Sequence, residues 1–223
     1  MKDLTLIIPT KNEAESLPAV LNELNKYKYS IQIILHKTDV KTIKSIKNYK
    51  SKIIYQKNLG YGDALIHGIK QCKTKYFCIF NADGSFNPSE INQMHKTLIS
   101  KKLDFIFASR YQNSSGSEDD TIITLVGNYI FTYIGKIFFR LNISDILYTF
   151  IIGKTKQAKM LNLKQKDFSF CVELPIKAKK MRMKMGSINS YERKRIAGKK
   201  KVNAFKDGFL ILKHMIKLFF TRL

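Results

Sequence analysis

Acidic side chains are scarce in this chain. Its 223 residues carry 17 aspartates and glutamates against 40 lysines and arginines, a formal net charge of +23. A field of that sign favours a polyanionic partner: nucleic acid, an anionic membrane face or a phosphorylated substrate. Arginine is scarce too, six in all, so part of the excess is the lysine of solvated faces in a lysine- and isoleucine-rich chain. The three cysteines, Cys72, Cys78 and Cys171, are odd in number and lack metal-ligand spacing. They exclude a disulfide scaffold and fit reduced thiols in a cytosolic protein. No uninterrupted apolar run reaches the roughly 18 residues of a spanning helix. Met1-Lys2-Asp3-Leu4 leads straight into an apolar run, so no signal peptide is expected. Repeats and low-complexity linkers are missing as well. What is present is a 44% hydrophobic composition, enough for a full core. The length fits one α/β domain, or a domain with a small appendage.

Apolar runs alternate with helical periodicities. Strands are predicted at Leu4 to Ile8, Ile31 to Leu35, Ile53 to Tyr55, Tyr76 to Phe80 and Asp104 to Ala108. Between them, Glu13 to Lys26, Val40 to Tyr49, Gly60 to Cys72 and Pro88 to Ser100 read as helices. This alternation predicts a mainly parallel, doubly wound sheet. Tyr111 to Asp120 then reads as a polar loop. Thr121 to Leu141 is long and apolar, but interrupted by Gly127, Asn128, Gly135 and Lys136. A strand near Leu147 to Ile152, a helix over Asp167 to Met181 and a last strand over Lys184 to Tyr191 follow. Arg193 to Lys201 is a basic loop, and Ala204 to Leu223 a closing amphipathic helix.

The densest chemical signal is Asn81-Ala82-Asp83-Gly84-Ser85, an acidic, small-residue turn at the end of a buried strand. Ligands of open α/β sheets gather beyond the carboxyl ends of the strands. A carboxylate there can hold a divalent cation against a diphosphate. Asn, Asp, Gly and Ser also favour ordinary turns, so the turn alone does not define a site.

Several further segments fall into one order. Ile7-Ile8-Pro9-Thr10-Lys11-Asn12-Glu13-Ala14-Glu15 resembles the opening of the family-2 nucleotide-sugar glycosyltransferases. Asn58-Leu59-Gly60-Tyr61-Gly62-Asp63-Ala64-Leu65 is similar to their Asn-x-Gly-x-Gly-x-Ala-Leu helix start. Asn81-Ala82-Asp83 stands where they carry Asp-x-Asp, and Ala108-Ser109-Arg110-Tyr111 is similar to their Gly-Ser-Arg strand end. Arg195-Ile196-Ala197-Gly198-Lys199-Lys200-Lys201 is similar to the Arg-x-x-Gly-x-Ser-Lys loop of the dolichol- and polyprenyl-phosphate sugar transferases.

The resemblance implies a Rossmann-like GT-A glycosyltransferase fold over residues 1–203, with residues 204–223 as an appended helix. It implies an inverting transferase using a nucleoside-diphosphate sugar and Mg2+ or Mn2+. Pro9, Thr10, Asn12, Glu13, Asp39, Asn58, Gly60, Asn81, Ala82 and Asp83 would bind the donor, with Asp83 and Asn81 on the metal. Asp83, Asp145 and Arg110 would be catalytic. Arg110, Glu173, Arg195 and Lys201 would hold phosphate or acceptor, which the resemblance makes a lipid phosphate or another envelope glycan.

The chain also departs from the family pattern. Leu35-His36-Lys37-Thr38-Asp39 replaces the Asp-Asp-Gly-Ser turn that meets the base, with Asp39 as a displaced substitute. Asn81 removes a charge from the metal site, and Lys200 stands where the loop has Ser. Glu118, Asp119 and Asp120 lie near the place of a further arginine, where they would repel a lipid phosphate. No general base is identifiable; an ionised phosphate acceptor needs none, whereas a sugar hydroxyl does.

Phe205, Phe209, Leu212, Ile216, Phe219 and Phe220 fall on one face of the last helix, among Lys206, Lys213, Lys217 and Arg222. Such a basic amphipathic helix suits the interface of an anionic membrane. The expected location is cytoplasmic, peripheral on the inner face of the cell membrane, with the 121–141 helix joining the contact. The same aromatics leave a homo-oligomer open. A degenerate sugar-nucleotide-binding scaffold is the alternative, kept alive by Asn81. A nucleic-acid binder is disfavoured, because no helix-turn-helix, zinc-ligand or RNA-platform motif is found.

Overall fold

The apolar runs form a seven-stranded sheet in the computed structural model, which describes residues 2–112, 115–198 and 200–221. Lys199 of the basic loop and Arg222 of the last helix lie outside the described residues. The strands are β1 (Leu4–Pro9), β2 (Ser30–His36), β3 (Lys52–Gln56), β4 (Tyr76–Ile79), β5 (Phe105–Ser109), β7 (Ile151–Lys154) and β8 (Met185–Asn189), in the order β3-β2-β1-β4-β7-β5-β8. All pair in parallel except β7, which runs antiparallel to both β4 and β5. β4 and β5 are buried along their whole length, as is β1 up to Pro9, which is why they read as continuous apolar runs.

The helices are α1 (Leu17–Asn25), α2 (Val40–Ser45), α3 (Tyr61–Gln71), α4 (Glu90–Ser100), α5 (Ile122–Phe139), α6 (Thr155–Met160), α7 (Phe170–Lys180) and α8 (Ala204–Phe220). On one side of the sheet, Leu17, Val20, Leu21 and Leu24 of α1 join Ile91, Met94 and Leu98 of α4. On the other, Leu65 and Ile69 of α3 share a core with α7 and with Ile211, Met215 and Leu218 of α8. α8 thus docks on the body through one face.

Four local features differ from the sequence expectation. β7 begins at Ile151, because its partners engage only from there (Phe107↔Ile151, Cys78↔Ile152); Leu147 to Phe150 lead in as irregular chain. The loop after β5 contains β6 (Gly116–Ser117), which pairs with β9 (Tyr191–Glu192), each too short to show alternation. α6, six residues long with only Thr155 and Ala158 buried, shows no periodicity either. Finally, Gly127, Asn128, Gly135 and Lys136 do not interrupt α5. It is one continuous 18-residue helix, long and apolar enough by length and composition to cross a membrane. Its start is fixed by a reciprocal cap between Thr121 and Thr124. Asn128, Thr132, Gly135 and Phe139 form its buried side.

Candidate active site

A cavity of about 680 Å3 opens across the carboxyl ends of β1, β2, β3 and β4. It is lined by Pro9, Thr10, Asn12, Glu13, Asp39, Gly60, Asn81, Ala82, Asp83, Arg110, Arg195 and Lys201. Twelve positions from distant parts of the sequence therefore meet in one cleft. Three others do not line it: Asn58, Asp145 and Glu173.

Each wall has a local cause. Thr10 N–H extends the β1–β2 ladder onto Ile34 O at 2.8 Å, which carries the chain out at Asn12. Asn12 has a left-handed φ of 53° and donates its N–H to Asp39 Oδ2 at 2.6 Å. Asp39 caps α2 through Thr42 N–H, so this displaced acid is a structural clasp at the rim of the cleft. Glu13 is buried and takes the Ser16 hydroxyl on Oε2 at 2.6 Å, while its Oε1 pairs with Lys201 Nζ. Asn58 donates to Asp63 Oδ1 at 3.1 Å, steadying the start of α3.

Gly60 has φ +146°, and a Cβ there would lie 2.2 Å from Lys166 O; at Gly62 it would lie 2.2 Å from Gln165 O. The backbone that approaches these glycines closely is the 165–167 segment of the same chain. Glu173 explains that segment. Its buried carboxylate accepts Lys164 N–H and Gln165 N–H at 2.8–3.0 Å and pairs with Lys177 Nζ at 2.8 Å. It holds the loop beneath the cleft and does not reach into it.

Asp83 sits at the exit of β4. Oδ1 accepts Ser85 N–H at 3.0 Å, and Oδ2 faces Arg195 Nη1 at 3.6 Å. Asn81 donates to Ser85 Oγ at 3.3 Å. Gly84, at φ +83°, brings the turn under Ile196, whose N–H donates to Asp83 O at 2.8 Å. The basic loop lies over the acidic turn.

Arg110 is nearly buried. Its Nε and Nη2 form a fork on Asp145, and Nη1 reaches Glu192 Oε2 at 2.9 Å and Asp120 Oδ2 at 3.3 Å. Its guanidinium lies 4.5 Å from the Tyr148 ring centroid and 5.1 Å from that of Tyr111. Burial works against its charge. The charge and hydrogen bonds of Asp145, with the charge of Glu192, outweigh it and hold the guanidinium well above its ordinary pKa. Burial raises the Glu192 carboxyl despite Arg110.

Residues that sequence reasoning passed over also line the cleft: Tyr148, Thr149, Asp167, Asn128, Glu192, Asp119 and Asp120. Asp119 and Asp120 carried a signal, being acids in a polar loop, but were read only as repelling a phosphate. Glu192 had none, since its place depends on the β6–β9 pair. Among the described residues no group of three or more His, Cys, Asp or Glu could hold a metal ion.

A mostly parallel sheet with one reversed strand, and a cleft over its carboxyl ends where an acidic turn meets a basic loop, define the GT-A architecture. The family model described as glycosyl transferase family 2 matches residues 5–160, and the chain belongs to that family. It is 24% identical over 211 residues to the UDP-N-acetylglucosamine–dolichyl-phosphate N-acetylglucosaminyltransferase of Methanococcus voltae, covering 84% of each chain. Its fold is similar to that of glucosyl-3-phosphoglycerate synthase from Mycobacterium tuberculosis, solved with Mn2+, UDP and phosphoglyceric acid. That match has a TM-score of 0.73 at 10% identity, over 99% of this chain and 78% of that one. Mannosyl-3-phosphoglycerate synthase from Rubrobacter xylanophilus aligns with a TM-score of 0.68 at 10% identity, over 97% and 72%.

Proposed function

We propose that this enzyme transfers a sugar, with inversion, from a nucleoside-diphosphate sugar to a polyprenyl-phosphate or other envelope-glycan acceptor. The observation that carries the reading is the Asp83 turn facing Arg195 in a cleft that Lys201 also lines. The Methanococcus voltae relative, named for a dolichyl-phosphate acceptor, supports the lipid-phosphate class.

The donor set fits a hard divalent cation. Asp83 supplies a carboxylate and Asn81 a neutral carboxamide oxygen at the same turn, and Asp119 shares the Arg195 guanidinium with Asp83. Mg2+ and Mn2+ are commonly held by one or two carboxylates plus substrate phosphates. When bound, the cation offsets charge building on the departing nucleoside diphosphate. Pro9, Thr10, Asn12 and Glu13 border the nucleoside end, with Asp39 holding Asn12 in place. Arg195 and Lys201 supply charge for the diphosphate. Arg110 and Asp145 form the rigid floor that positions Tyr148 and Glu192. An ionised phosphate acceptor needs no general base here.

The cleft also borders an apolar face. Thr124 and Asn128 of α5 and Lys206 and Asp207 of α8 line it. On the outer sides of the same helices, Ile123, Val126, Ile130, Phe205, Phe209 and Ile216 are exposed. The two exposed faces meet where the Phe138 and Phe219 rings stack edge to face, 5.8 Å apart. The exposed apolar faces support the reading of a peripheral contact with an anionic membrane surface, at the inner face of the cell membrane.

The test is a thermal-shift screen of UDP-, GDP-, CMP- and dTDP-sugars with and without Mn2+, followed by sugar transfer to polyprenyl phosphate. Metal-dependent stabilisation by one nucleotide class, lost in Asp83→Ala, is the expected result. No shift with any donor in the folded protein overturns the reading.

A further inference from the structure

Asp119 is the side chain on which the basic loop is fastened. Arg195 lays a two-bond fork on it, Nε to Oδ1 at 3.0 Å and Nη2 to Oδ2 at 2.7 Å. Lys200 Nζ lies 3.6 Å from the same carboxylate and also donates to the Asp119 carbonyl. The remaining guanidinium nitrogen, Nη1, faces Asp83 at 3.6 Å. One guanidinium thus bridges two carboxylates from separate parts of the chain. Lys201, at the end of the loop, rests on Glu13.

Asp119 is itself held in place. Its N–H donates to Ser117 Oγ at 3.1 Å, and that hydroxyl donates to Glu192 Oε2 at 2.5 Å. β6 and β9 therefore fix the acid and the root of the basic loop on one small sheet. Burial would raise the Asp119 carboxyl, but Arg195 and Lys200 outweigh it and leave it below its ordinary range.

We propose that Asp119 is a positioning residue for the transfer reaction, a holding site for the cations that the donor diphosphate later takes. This rests on the donor-site reading above. Without donor, Asp119 keeps Arg195 and Lys200 over the Asp83 turn. A diphosphate must draw those cations away from Asp119, and a divalent cation must compete with the Arg195 guanidinium for Asp83 and Asp119. Anion and metal therefore help each other to bind: the diphosphate removes the guanidinium from the carboxylates, and the metal gives the carboxylates a new counter-charge. The negative charge lost at Asn81 is restored at the same cleft by Asp119, from a loop the family resemblance does not assign to the metal. The step is an exchange of ion-pair partners, with no covalent change.

The experiment uses two simple probes, Mn2+ alone and inorganic pyrophosphate alone, titrated calorimetrically into the full chain. Asp119→Asn is expected to tighten pyrophosphate binding and weaken Mn2+ binding, each by about fivefold or more. Arg195→Gln is expected to shift both in the opposite directions, and Asp119→Glu to stay within about twofold of wild type. A merely structural role cannot produce this crossing of signs. Weaker or unchanged pyrophosphate binding in Asp119→Asn, in a protein that still melts cooperatively, overturns the proposal. Should that variant not fold, unchanged Mn2+ affinity in Arg195→Gln overturns it instead. Wild type that binds neither probe defeats the donor-site reading as well, whereas wild type that binds both with variants unchanged defeats only this inference.

Discussion

Arg110 and Asp145 form a buried fork: Nε to Oδ2 at 2.8 Å, Nη2 to Oδ1 at 3.1 Å, and the Arg110 backbone N–H to Oδ2 at 3.1 Å. Asn128 donates to the same carboxylate. Asp145, 1% exposed, accepts all these donors away from the cleft. The arginine that sequence motifs offer to a phosphate is thus engaged by carboxylates, and the acid offered to catalysis is its anchor.

Removing that anchor leaves a buried guanidinium short of its main partner. Asp145→Ala is expected to lose about 3–5 kcal/mol of stability, read from urea unfolding with an unchanged slope. A loss below about 1 kcal/mol would show that Glu192 and Asp120 suffice.

On the proposed reading Asp83 acts on the reaction more than on the fold: its carboxylate accepts Ser85 N–H within its own turn and faces Arg195. Asp83→Asn is expected to lower turnover by roughly 100-fold or more while the protein still melts cooperatively. Metal chelation of wild type should have an effect of the same order. Measuring kcat and Tm side by side checks both.

Gly60 tests the close approach beneath the cleft. A Cβ there meets the Lys166 carbonyl, in a backbone conformation that side chains rarely adopt. Gly60→Ala is expected to destabilise by more than about 1 kcal/mol and to raise KM for the donor, because Gly60 lines the cleft. Gly127→Ala, in open space on α5, should do neither.

The sign of the acid response follows from Asp119. Its folded carboxyl lies below the ordinary 3.8, so its contribution is complete above that value and is lost as pH falls through the lower folded value. The difference in Tm between wild type and Asp119→Asn should therefore be constant from neutral to mildly acidic pH. It should shrink only below the ordinary carboxylate range. A difference that shrinks nearer neutrality would identify another group as its source.

The exposed aromatics on α8 predict a phase preference. Phe205→Ser with Phe209→Ser should abolish flotation with vesicles rich in anionic lipid and leave the melt unchanged, since both rings are largely exposed. Binding by wild type should weaken with salt. Concentration-dependent dimerisation without flotation would assign the face to a second copy of the chain.

Much of the sheet was legible because β1, β4 and β5 are buried on both faces and the runs are punctuated at Pro9, His36 and Asn81. The six exposed apolar residues of α8 were legible from spacing alone, and all six are exposed in the fold. Partnerships formed across the chain were not. Glu173 looks like any first-turn acid until Lys164 and Gln165 are folded onto it. Asp119 looks repulsive until Arg195 arrives from 76 residues away. β6 and β9 have two residues each and no local pattern, yet they bring Ser117 and Glu192 together.

α5 presents Asn128 to the cleft and, on the neighbouring turns, Val126 and Ile130 to the outside. A helix with its side chains is about 10 Å thick. Were its outer side immersed in a bilayer, reaction chamber and oily phase would be separated by a partition of that thickness. An acceptor whose reactive head sits at the lipid surface would have only a short climb to the sugar. A soluble acceptor of any length would gain nothing from the arrangement. Chain-length dependence of the acceptor would then be a ruler for how deeply the enzyme rides.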